Sequence, residues 1–428
     1  MRILVVSNLY PPHYIGGYEL GCRDVVDGLR AQGFDVNVLC SQYGLPASPN
    51  DHTWRWLFQD IGGRRAGGVL ALAALLRKEI GNRRALRRAL HAAAPDVVYF
   101  WNLAFVSASM IELARRIGVP ACAFVSDGWL ANLEETDAWC RWLRSTAAYP
   151  VRRAVKRILK RVTLRVLPDP VPAANGLEAQ FASRFLKDRA CAAGRARPDS
   201  LVIHWGVDTE VFRPAPTATR ENRRLLFVGQ VAPHKGVHTA VAALSLLVSR
   251  HGWADAGLDV VGGTTEDSYV ASVSELARTL GVAGRVRFLG RASRLELPSI
   301  YSSHPILVFP STWDEPFSIT ILEAMASGIP VVSTTTGGSA EILQDGVNAL
   351  VFPPGDAESC ARQIDRLFRE AGLADTLRAS ARRTVESSFR LERMIDRIAT
   401  ALRGVAVGCA TGRPLPGPDT NRSGRGYR

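Results

Sequence analysis

The stretch from 305 to 341, PILVFPSTWDEPFSITILEAMASGIPVVSTTTGGSAE, constrains the fold more than any other part of the chain. Its apolar run 305–309 is short, which is typical of a strand buried in a parallel sheet. Ser318 can cap a helix that Gly328 ends, and a second apolar strand follows over 331–335. The order strand, loop, helix, strand predicts a parallel α/β fold.

Two acidic residues accompany this helix. Glu323 is the only charge in its sequence ITILEAMA, and Glu315 lies eight residues earlier, in the preceding loop. Ligands bind open α/β sheets at the carboxyl ends of the strands, so two carboxylates there suggest a ligand with many hydroxyl groups. A pair of glycosidase acids is the alternative, but it needs two carboxyls that flank one scissile bond. One acid in an apolar helix and one in its leading loop fit hydrogen bonds from sugar hydroxyls better.

Length and charge limit the class of protein. A chain of 428 residues predicts two domains of similar size. Its 53 Lys and Arg against 40 Asp and Glu give a net charge of +13, which favours an anionic partner or serves solubility alone. Such a partner is a nucleotide phosphate, an anionic lipid surface or nucleic acid. Nucleic acid is disfavoured because the basic residues are dispersed or lie on one helix without interleaved aromatic residues.

Cysteine usage and hydropathy indicate the compartment. The seven cysteines are scattered and never spaced as C-x-x-C, so we expect neither a disulfide framework nor a zinc site. No apolar run approaches the ~20 residues of a membrane span, and the first apolar run is too short for a signal peptide. These features predict a cytoplasmic protein, with peripheral contact at the inner face of the membrane as an alternative.

Strand and helix patterns alternate in two consecutive series, joined by a linker at 213–222 that is rich in Pro, Thr and Arg. Stretch 41–66 is expected to be loop-like. The predicted strands are 2–7, 35–40, 96–101, 119–125, 200–203, 224–228, 257–261 and 285–288. The predicted helices are 18–32, 69–93, 106–117, 175–190, 237–250, 268–280, 293–302, 357–371 and 373–403.

Residues 150–166, PVRRAVKRILKRVTLRV, form a basic amphipathic helix in this scheme. Apolar residues recur with helical spacing, basic residues fill the other positions, and no acid is present. A solvated helix that packs on the first domain and a helix that docks onto an anionic membrane both account for this pattern.

Two loops carry glycines and a lysine beside predicted helices. IGGYE (15–19) separates the first strand from the first helix, where glycines allow close backbone approach and a helix N-terminus favours an anion. It is not a G-x-G-x-x-G fingerprint, and a plain tight turn is the alternative. GQVAPHKG (229–236) follows a later strand, and its Lys235 can bind a phosphate, although the spacing excludes a P-loop.

EPFSITILEAMASGIPVVS resembles the signature of the retaining family 4 glycosyltransferases, which have the GT-B fold. GGYE, GVDTEVFRP, VGQVAPHKG, RVRFLGRAS and GGSAEIL resemble the segments that accompany this signature, and they occur in the family's order. The resemblance implies an α/β fold of two Rossmann-like domains facing across a cleft. It also implies transfer of a sugar, with retention, from a nucleotide-diphosphate donor to a hydroxyl acceptor.

The resemblance assigns roles to residues of this chain. Glu315 would contact hydroxyls of the donor sugar and Glu323 the ribose, while backbone N–H groups of Phe317, Ser318 and Ile319 would face the sugar or the diphosphate. Lys235 would neutralise the departing diphosphate, a kind of stabilisation that is usually large. Gly16 and Gly17 would close over the phosphates from the other domain. No metal and no separate cofactor are implied, and the donor is expected to be UDP- or GDP-linked.

Two positions depart from the family pattern. Gln230 stands where the family commonly has arginine, which weakens the predicted phosphate clamp. Ser126-Asp127 stands where the family often has His-Asp, so Asp127 is the candidate that orients the acceptor hydroxyl or takes its proton. A turn or N-cap aspartate is the alternative for Asp127. His13, His204 and His234 are weaker candidates for the missing histidine.

The predicted domains are 1–210 on the acceptor side and 211–390 on the nucleotide-sugar side. A helix over 391–404 would cross back to the first domain, and 405–428 would be a disordered tail. Acceptor binding is predicted at Trp101, Asn102, Asp127 and Trp129, where the aromatic rings suit stacking on sugars unless they belong to the core. The acceptor stays open between a glycan, a lipid-linked sugar and a small molecule, and the oligomeric state is not predicted. A non-catalytic nucleotide-sugar or glycan binding protein of the same fold is the alternative function.

Overall fold

The computed structural model describes residues 1–42, 52–59, 69–146, 149–214, 223–264 and 266–411. The strands are β1 (Arg2–Ser7), β2 (Asp35–Ser41), β3 (Thr53–Leu57), β4 (Val97–Asn102), β5 (Ala121–Val125), β6 (Glu178–Phe181), β7 (Leu201–Val202), β8 (Arg224–Val228), β9 (Gly257–Val261), β10 (Val286–Gly290), β11 (Leu307–Phe309), β12 (Val331–Ser333) and β13 (Leu350–Val351). The α-helices are α1 (Gly17–Ala31), α2 (Val69–Ala93), α3 (Ser109–Ile117), α4 (Leu133–Thr136), α5 (Ala138–Arg144), α6 (Pro150–Val166), α7 (Val171–Asn175), α8 (Arg184–Ala192), α9 (Val237–Ser249), α10 (Asp267–Thr279), α11 (Leu297–Ser302), α12 (Ile319–Ala326), α13 (Ala357–Arg369), α14 (Leu373–Ser388) and α15 (Leu391–Thr411).

The strands form two parallel sheets, each covered by helices. The first sheet has the order β3-β2-β1-β4-β5-β6-β7, and the second has the order β10-β9-β8-β11-β12-β13. Central strands such as β1 and β4 are apolar runs buried along their length, as expected where helices cover both faces. In both sheets the order reverses beside the first strand of the series, and the loops at the carboxyl ends of such neighbouring strands form a crevice. The predicted α/β fold with two Rossmann-like units is confirmed.

The helix predicted over 175–190 is wrong in its first half. Residues 178–181 form β6, which pairs in parallel with β5 on one side and with β7 on the other. The helical part starts only after Ser183, whose Oγ accepts a hydrogen bond from the backbone N–H of Leu186 at 3.1 Å. Pairing between two neighbouring strands therefore overrides the local helical pattern.

The stretch 41–66 is not wholly a loop, because β3 lies within it and pairs with β2 at the edge of the first sheet. Residues 43–51 and 60–68 lie outside the described residues, as do 215–222 of the predicted linker. The predicted helices over 106–117 and 293–302 begin later, at Ser109 and Leu297.

The single helix predicted over 373–403 is two helices, α14 and α15. The backbone of Val207 interrupts them, since its N–H donates to Phe389 O at 2.9 Å and its carbonyl accepts from Leu391 N at 3.0 Å. Helix α15 then packs against α1, where Ile395 lies so close to Gly28 that a Cβ there would come within 2.3 Å. It continues to Thr411, seven residues into the stretch predicted as a tail, and 412–428 lie outside the described residues. Within the described ranges every helix is too short or too polar to span a bilayer.

Candidate active site

An ion pair between Lys235 and Glu315 lies at the carboxyl edge of the second sheet. Lys235 Nζ lies 2.7 and 2.9 Å from the two carboxylate oxygens of Glu315, and Ser311 Oγ donates to Oε1 at 2.6 Å. Glu315 is buried, whereas Lys235 is partly accessible. Two of the predicted donor-binding residues, Lys235 and Glu315, are therefore in direct contact although they lie 80 positions apart in the chain.

Close backbone packing holds the lysine turn against the strand end. Gly236 has φ +72°, and a Cβ on it would come within 2.0 Å of Pro310 O, so this position requires glycine. Pro310 directly follows β11, and the turn before Gly236 is a single 3₁₀ turn, Pro233–Lys235. Lys235 is thus fixed relative to the loop that carries Glu315.

The N-terminus of α12 faces the glycine loop of the first sheet. Ser318 caps this helix, as predicted, by accepting a hydrogen bond from Ile321 N at 3.3 Å. A Cβ on Gly17 would lie only 3.1 Å from Ile319 Cδ1, so the two loops touch. Gly16 caps α1, and its N–H donates to Glu19 at 2.9 Å. The structure therefore brings Gly16 and Gly17 next to the helix end predicted to bind the donor.

Glu323 occupies a different environment from Glu315. Tyr301 OH donates to its Oε2 at 2.9 Å, and burial raises the pKa of Glu323 to about 7, although the nearby Arg294 opposes this shift. The two glutamates share no hydrogen-bond partner among the described residues. This arrangement does not favour a pair of glycosidase acids.

Replacing Glu323 by glutamine is expected to remove a pH dependence of stability. The folded protein keeps the Glu323 proton up to about pH 7, whereas the unfolded chain releases it near its ordinary pKa of about 4.3. Between these values the folded state binds more protons, so this group lowers stability as pH rises, by on the order of 3 kcal/mol. Urea unfolding should show that the stability of Glu323→Gln relative to the native chain increases from acidic to mildly alkaline pH. The exposed Glu358→Gln is the control, and parallel curves for Glu323→Gln and the native chain would contradict the expectation.

A polar cluster lies at the carboxyl edge of the first sheet. Asp127 accepts hydrogen bonds from Asn102 Nδ2 at 2.8 Å and from Trp129 N at 2.9 Å, and burial raises its pKa. The bond from Trp129 N also makes Asp127 a turn aspartate. The geometry therefore fits both the turn aspartate and the residue that orients the acceptor hydroxyl. Asn8 Nδ2 donates to Tyr18 OH at 3.3 Å, and burial raises the pKa of that phenol, with the charges of Glu19 and Asp127 adding to the rise.

Asn8 and Tyr18 were not among the predicted site residues. Their signals were present in the sequence, since Asn8 directly follows the first apolar strand and Tyr18 belongs to GGYE. A polar residue after a buried parallel strand lies at the ligand-binding edge of such a sheet.

The predicted stacking of sugars on Trp101 and Trp129 is wrong, because both rings are buried in the core. Trp101 stacks on Phe124 with ring centroids 4.6 Å apart, and its Nε1 donates to Tyr18 O at 3.1 Å. Trp101 therefore lies in the core and holds the backbone of Tyr18 in place at the site. Asn102 and Asp127 alone of the four predicted acceptor residues present polar groups at the edge.

The remaining predicted residues lie in different settings. Gln230 is exposed after β8, whereas Ser126 is buried. His234 packs beside Trp313, and burial together with Lys235 lowers its pKa. His204 contacts Glu341 at 2.9 Å, and His13 is half-buried in the loop after β1. Across the described ranges no group of three or more His, Cys, Asp or Glu is arranged to hold a metal ion.

The two halves of the site meet through further contacts. Ser183 Oγ donates to Pro316 O at 2.7 Å, beside Glu315, and Asp24 of α1 forms an ion pair with Arg294. The Phe317 ring stacks on His204 with centroids 5.5 Å apart. The loop that carries Glu315 is thus in contact with elements of the first sheet.

Comparison with known proteins identifies the family. The family model described as glycosyl transferases group 1 matches residues 208–384, and the glycosyl transferase 4-like domain matches residues 16–168. The chain belongs to the family 4-like GT-B glycosyltransferases. The two models fall on the second and the first sheet respectively, so the family assignment covers both halves of the site.

Relatives and solved structures agree with this assignment over nearly the whole chain. The glycosyltransferase is 25% identical over 412 residues to an uncharacterized glycosyltransferase of Methanocaldococcus jannaschii, covering 91% of this chain and 94% of that protein. It is 26% identical over 442 residues to a glycogen synthase of Mycobacterium tuberculosis, covering 98% and 97%. Its fold is similar to that of Anabaena HepE in complex with UDP and glucose, with a TM-score of 0.68, 20% identity, and coverage of 94% of this chain and 99% of that one.

Proposed function

We propose that this glycosyltransferase moves a sugar, with retention at the anomeric carbon, from a nucleoside-diphosphate donor to a hydroxyl acceptor. The observation that carries the proposal is the Lys235–Glu315 ion pair beside the capped N-terminus of α12. A cation, a carboxylate and the N-terminus of a helix at one sheet edge match the parts of such a donor, which are a diphosphate and a ring of hydroxyls.

Donor binding would exchange the partners of this ion pair. The diphosphate would take Lys235 and the N–H groups of α12, and sugar hydroxyls would donate to the Glu315 carboxylate. Glu323 would contact the ribose, and Gly16 and Gly17 would approach the phosphates from the first sheet. In this proposal the diphosphate charge is met without a protein-bound metal.

The transfer step would join the two halves of the site. The bond between the anomeric carbon and the diphosphate oxygen breaks, and the acceptor oxygen bonds to that carbon. Asp127 receives the acceptor proton, and Lys235 stabilises the charge that grows on the leaving diphosphate. Closure of the two sheets over the donor would exclude water and limit hydrolysis.

Retention and the choice of nucleotide are supported by resemblance. The segment EPFSITILEAMA carries the likeness to retaining enzymes. UDP and GDP are the nucleotides to test first, because HepE was solved with UDP-glucose and one relative in Mycobacterium tuberculosis is a GDP-mannose-dependent mannosyltransferase. We place the protein in the cytoplasm, since its six described cysteines are all free thiols, as in a reducing compartment.

A thermal-shift panel of nucleotides and nucleotide sugars tests the proposal. A ligand that binds only the folded state at about 100 times its Kd adds about 2.7 kcal/mol of stability, so the matching donor should raise Tm by a few degrees, on the order of 2–4 °C. UDP, GDP, UDP-glucose and GDP-mannose form the core of the panel, with the corresponding monophosphates as controls. Equal shifts for diphosphates and monophosphates would contradict a site built on Lys235. A shift without any turnover would favour the non-catalytic binding protein.

A further inference from the structure

Helix α6 carries an apolar stripe that faces solvent. Val155, Ile158, Val162 and Val166 are 52%, 62%, 54% and 67% exposed. Their spacing of three, four and four residues places them along one side of the helix. Single exposed apolar residues are common on protein surfaces and need no explanation. Four aliphatic side chains in one continuous exposed row do need one.

A different side of α6 attaches it to the protein. Thr163 is buried, Leu159 is half-buried, and the following Leu167 is buried. Leu159 and Leu167 belong to a small apolar cluster that includes Trp139 of α5 and Leu72 of α2. The exposed stripe therefore takes no part in fixing the helix, which packs on the first domain through Leu159 and Leu167 instead.

Basic side chains border the stripe on α6. The segment Pro150–Val166 contains seven Lys and Arg and no Asp or Glu. Its exposed members are Arg152, Arg153, Arg157, Arg161 and Arg165. Lys156 Nζ reaches back to donate to Ser145 O at 2.8 Å. Tyr149, 64% exposed, precedes the helix under Arg152 and adds an amphipathic ring at one end of the stripe.

We propose that α6 docks this protein onto a membrane that contains anionic phospholipid. An aliphatic row enters the headgroup boundary, and the flanking guanidinium groups meet lipid phosphates. A protein groove would suit the aliphatic row alone. Five exposed arginines without a single acid on the helix fit a surface of dense negative charge.

The position of α6 ties this surface to the acceptor side of the site. The loop after β4 begins beside Asn102 and contacts the middle of α2. There Lys78 Nζ donates to Phe105 O at 3.3 Å, and Asn82 Nδ2 donates to Val106 O at 3.4 Å. Helix α6 rests over the preceding turns of α2, through the cluster around Leu72. Membrane contact at α6 would therefore hold the Asn102–Asp127 edge near the lipid surface. We infer, on the basis of the proposed function, that the acceptor is a lipid-linked sugar or a lipid headgroup hydroxyl.

Vesicle sedimentation tests the docking with the intact protein and needs no turnover. We expect binding to phosphatidylcholine vesicles that contain about 30 mol% phosphatidylglycerol, and little binding to phosphatidylcholine alone. Arg161→Gln combined with Arg165→Gln, the two arginines beside the stripe, should weaken this binding roughly 25-fold, at about fivefold per charge. Ile158→Ser combined with Val162→Ser should weaken it by at least about tenfold, because the buried aliphatic area is lost.

Matched variants on other faces of the same half of the protein serve as controls. Arg84→Gln combined with Arg87→Gln removes the same charge from exposed positions of α2, and Ile117→Ser changes an exposed aliphatic residue at the end of α3. Both should bind anionic vesicles like the native chain. Equal loss in these controls, equal binding to neutral vesicles, or a concentration-dependent dimer that is abolished by Ile158→Ser/Val162→Ser would overturn the proposal. Nucleotide-induced Tm shifts, measured in parallel, report on the donor site separately, so failure of docking and failure of the proposed function give different results.

Discussion

Replacing Lys235 by alanine is expected to lower kcat for donor turnover by about 10²–10³-fold, the usual loss when one group that stabilises a developing charge is removed. Lys235 is the cation that contacts Glu315 at the sheet edge, and no charge at Gln230 is available to substitute for it. The rate is measured as release of nucleoside diphosphate from UDP-glucose or GDP-mannose, whichever raises Tm.

The same substitution leaves a buried carboxylate without its cation, so folding must be separated from catalysis. Lys235→Ala alone should lower the free energy of unfolding by roughly 3 kcal/mol, because Glu315 is buried and loses its charged partner. Lys235→Ala combined with Glu315→Gln should recover most of that stability and none of the activity. Recovery of activity in the double variant would show that Lys235 acts only by holding Glu315.

Asp127→Asn is expected to lower the rate of transfer to the acceptor by about 10²–10⁴-fold, the range for loss of a positioned acid or base. The donor KM should stay unchanged, because Asp127 lies in the acceptor cluster of the first sheet and is not among the residues assigned to the donor. Burial raises the pKa of Asp127, and only the carboxylate accepts a proton, so the native rate should fall as pH is lowered through that raised pKa. This acidic limb should be absent in Asp127→Asn.

Asn102→Ala is the matched control for that variant. It removes the 2.8 Å hydrogen bond from Asn102 to Asp127 but leaves the carboxylate and its bond from Trp129 N. We expect Asn102→Ala to keep the acidic limb of the pH profile. Its rate should fall much less than that of Asp127→Asn. An Asp127→Asn enzyme with native kcat and an unchanged pH profile would remove Asp127 from the mechanism.

Periodic apolar runs made most of the fold predictable. The alternation of strands and helices came from patterns within each segment, and Ser318 was recognised as an N-cap from its place before ITILEAMA. The failures lie where distant segments decide the local structure. Neighbouring strands draw 178–181 into the first sheet, and the backbone of Val207 divides α14 from α15. No local pattern in either stretch encodes those partners.

The site was predictable as a set of residues but not as a set of contacts. The motifs indicated Lys235 and Glu315 separately, and only the fold shows that one neutralises the other. Trp101 and Trp129 stand at strand ends in the sequence, yet their large rings complete the core. The helix at 150–166 is the converse case, since helical periodicity identified its apolar positions but could not tell which of them face the protein.

Calorimetric titration of the native protein and of Lys235→Ala/Glu315→Gln with UDP and GDP tests the central claim most directly. The claim is that a nucleoside diphosphate binds between Lys235 and the N-terminus of α12. We predict saturable binding of one of the two by the native protein, and a loss of at least about tenfold in affinity in the folded double variant, since a charge-assisted contact to phosphate contributes at least ~1.4 kcal/mol. Equal affinity of the native protein and the double variant for the same nucleotide would contradict the account.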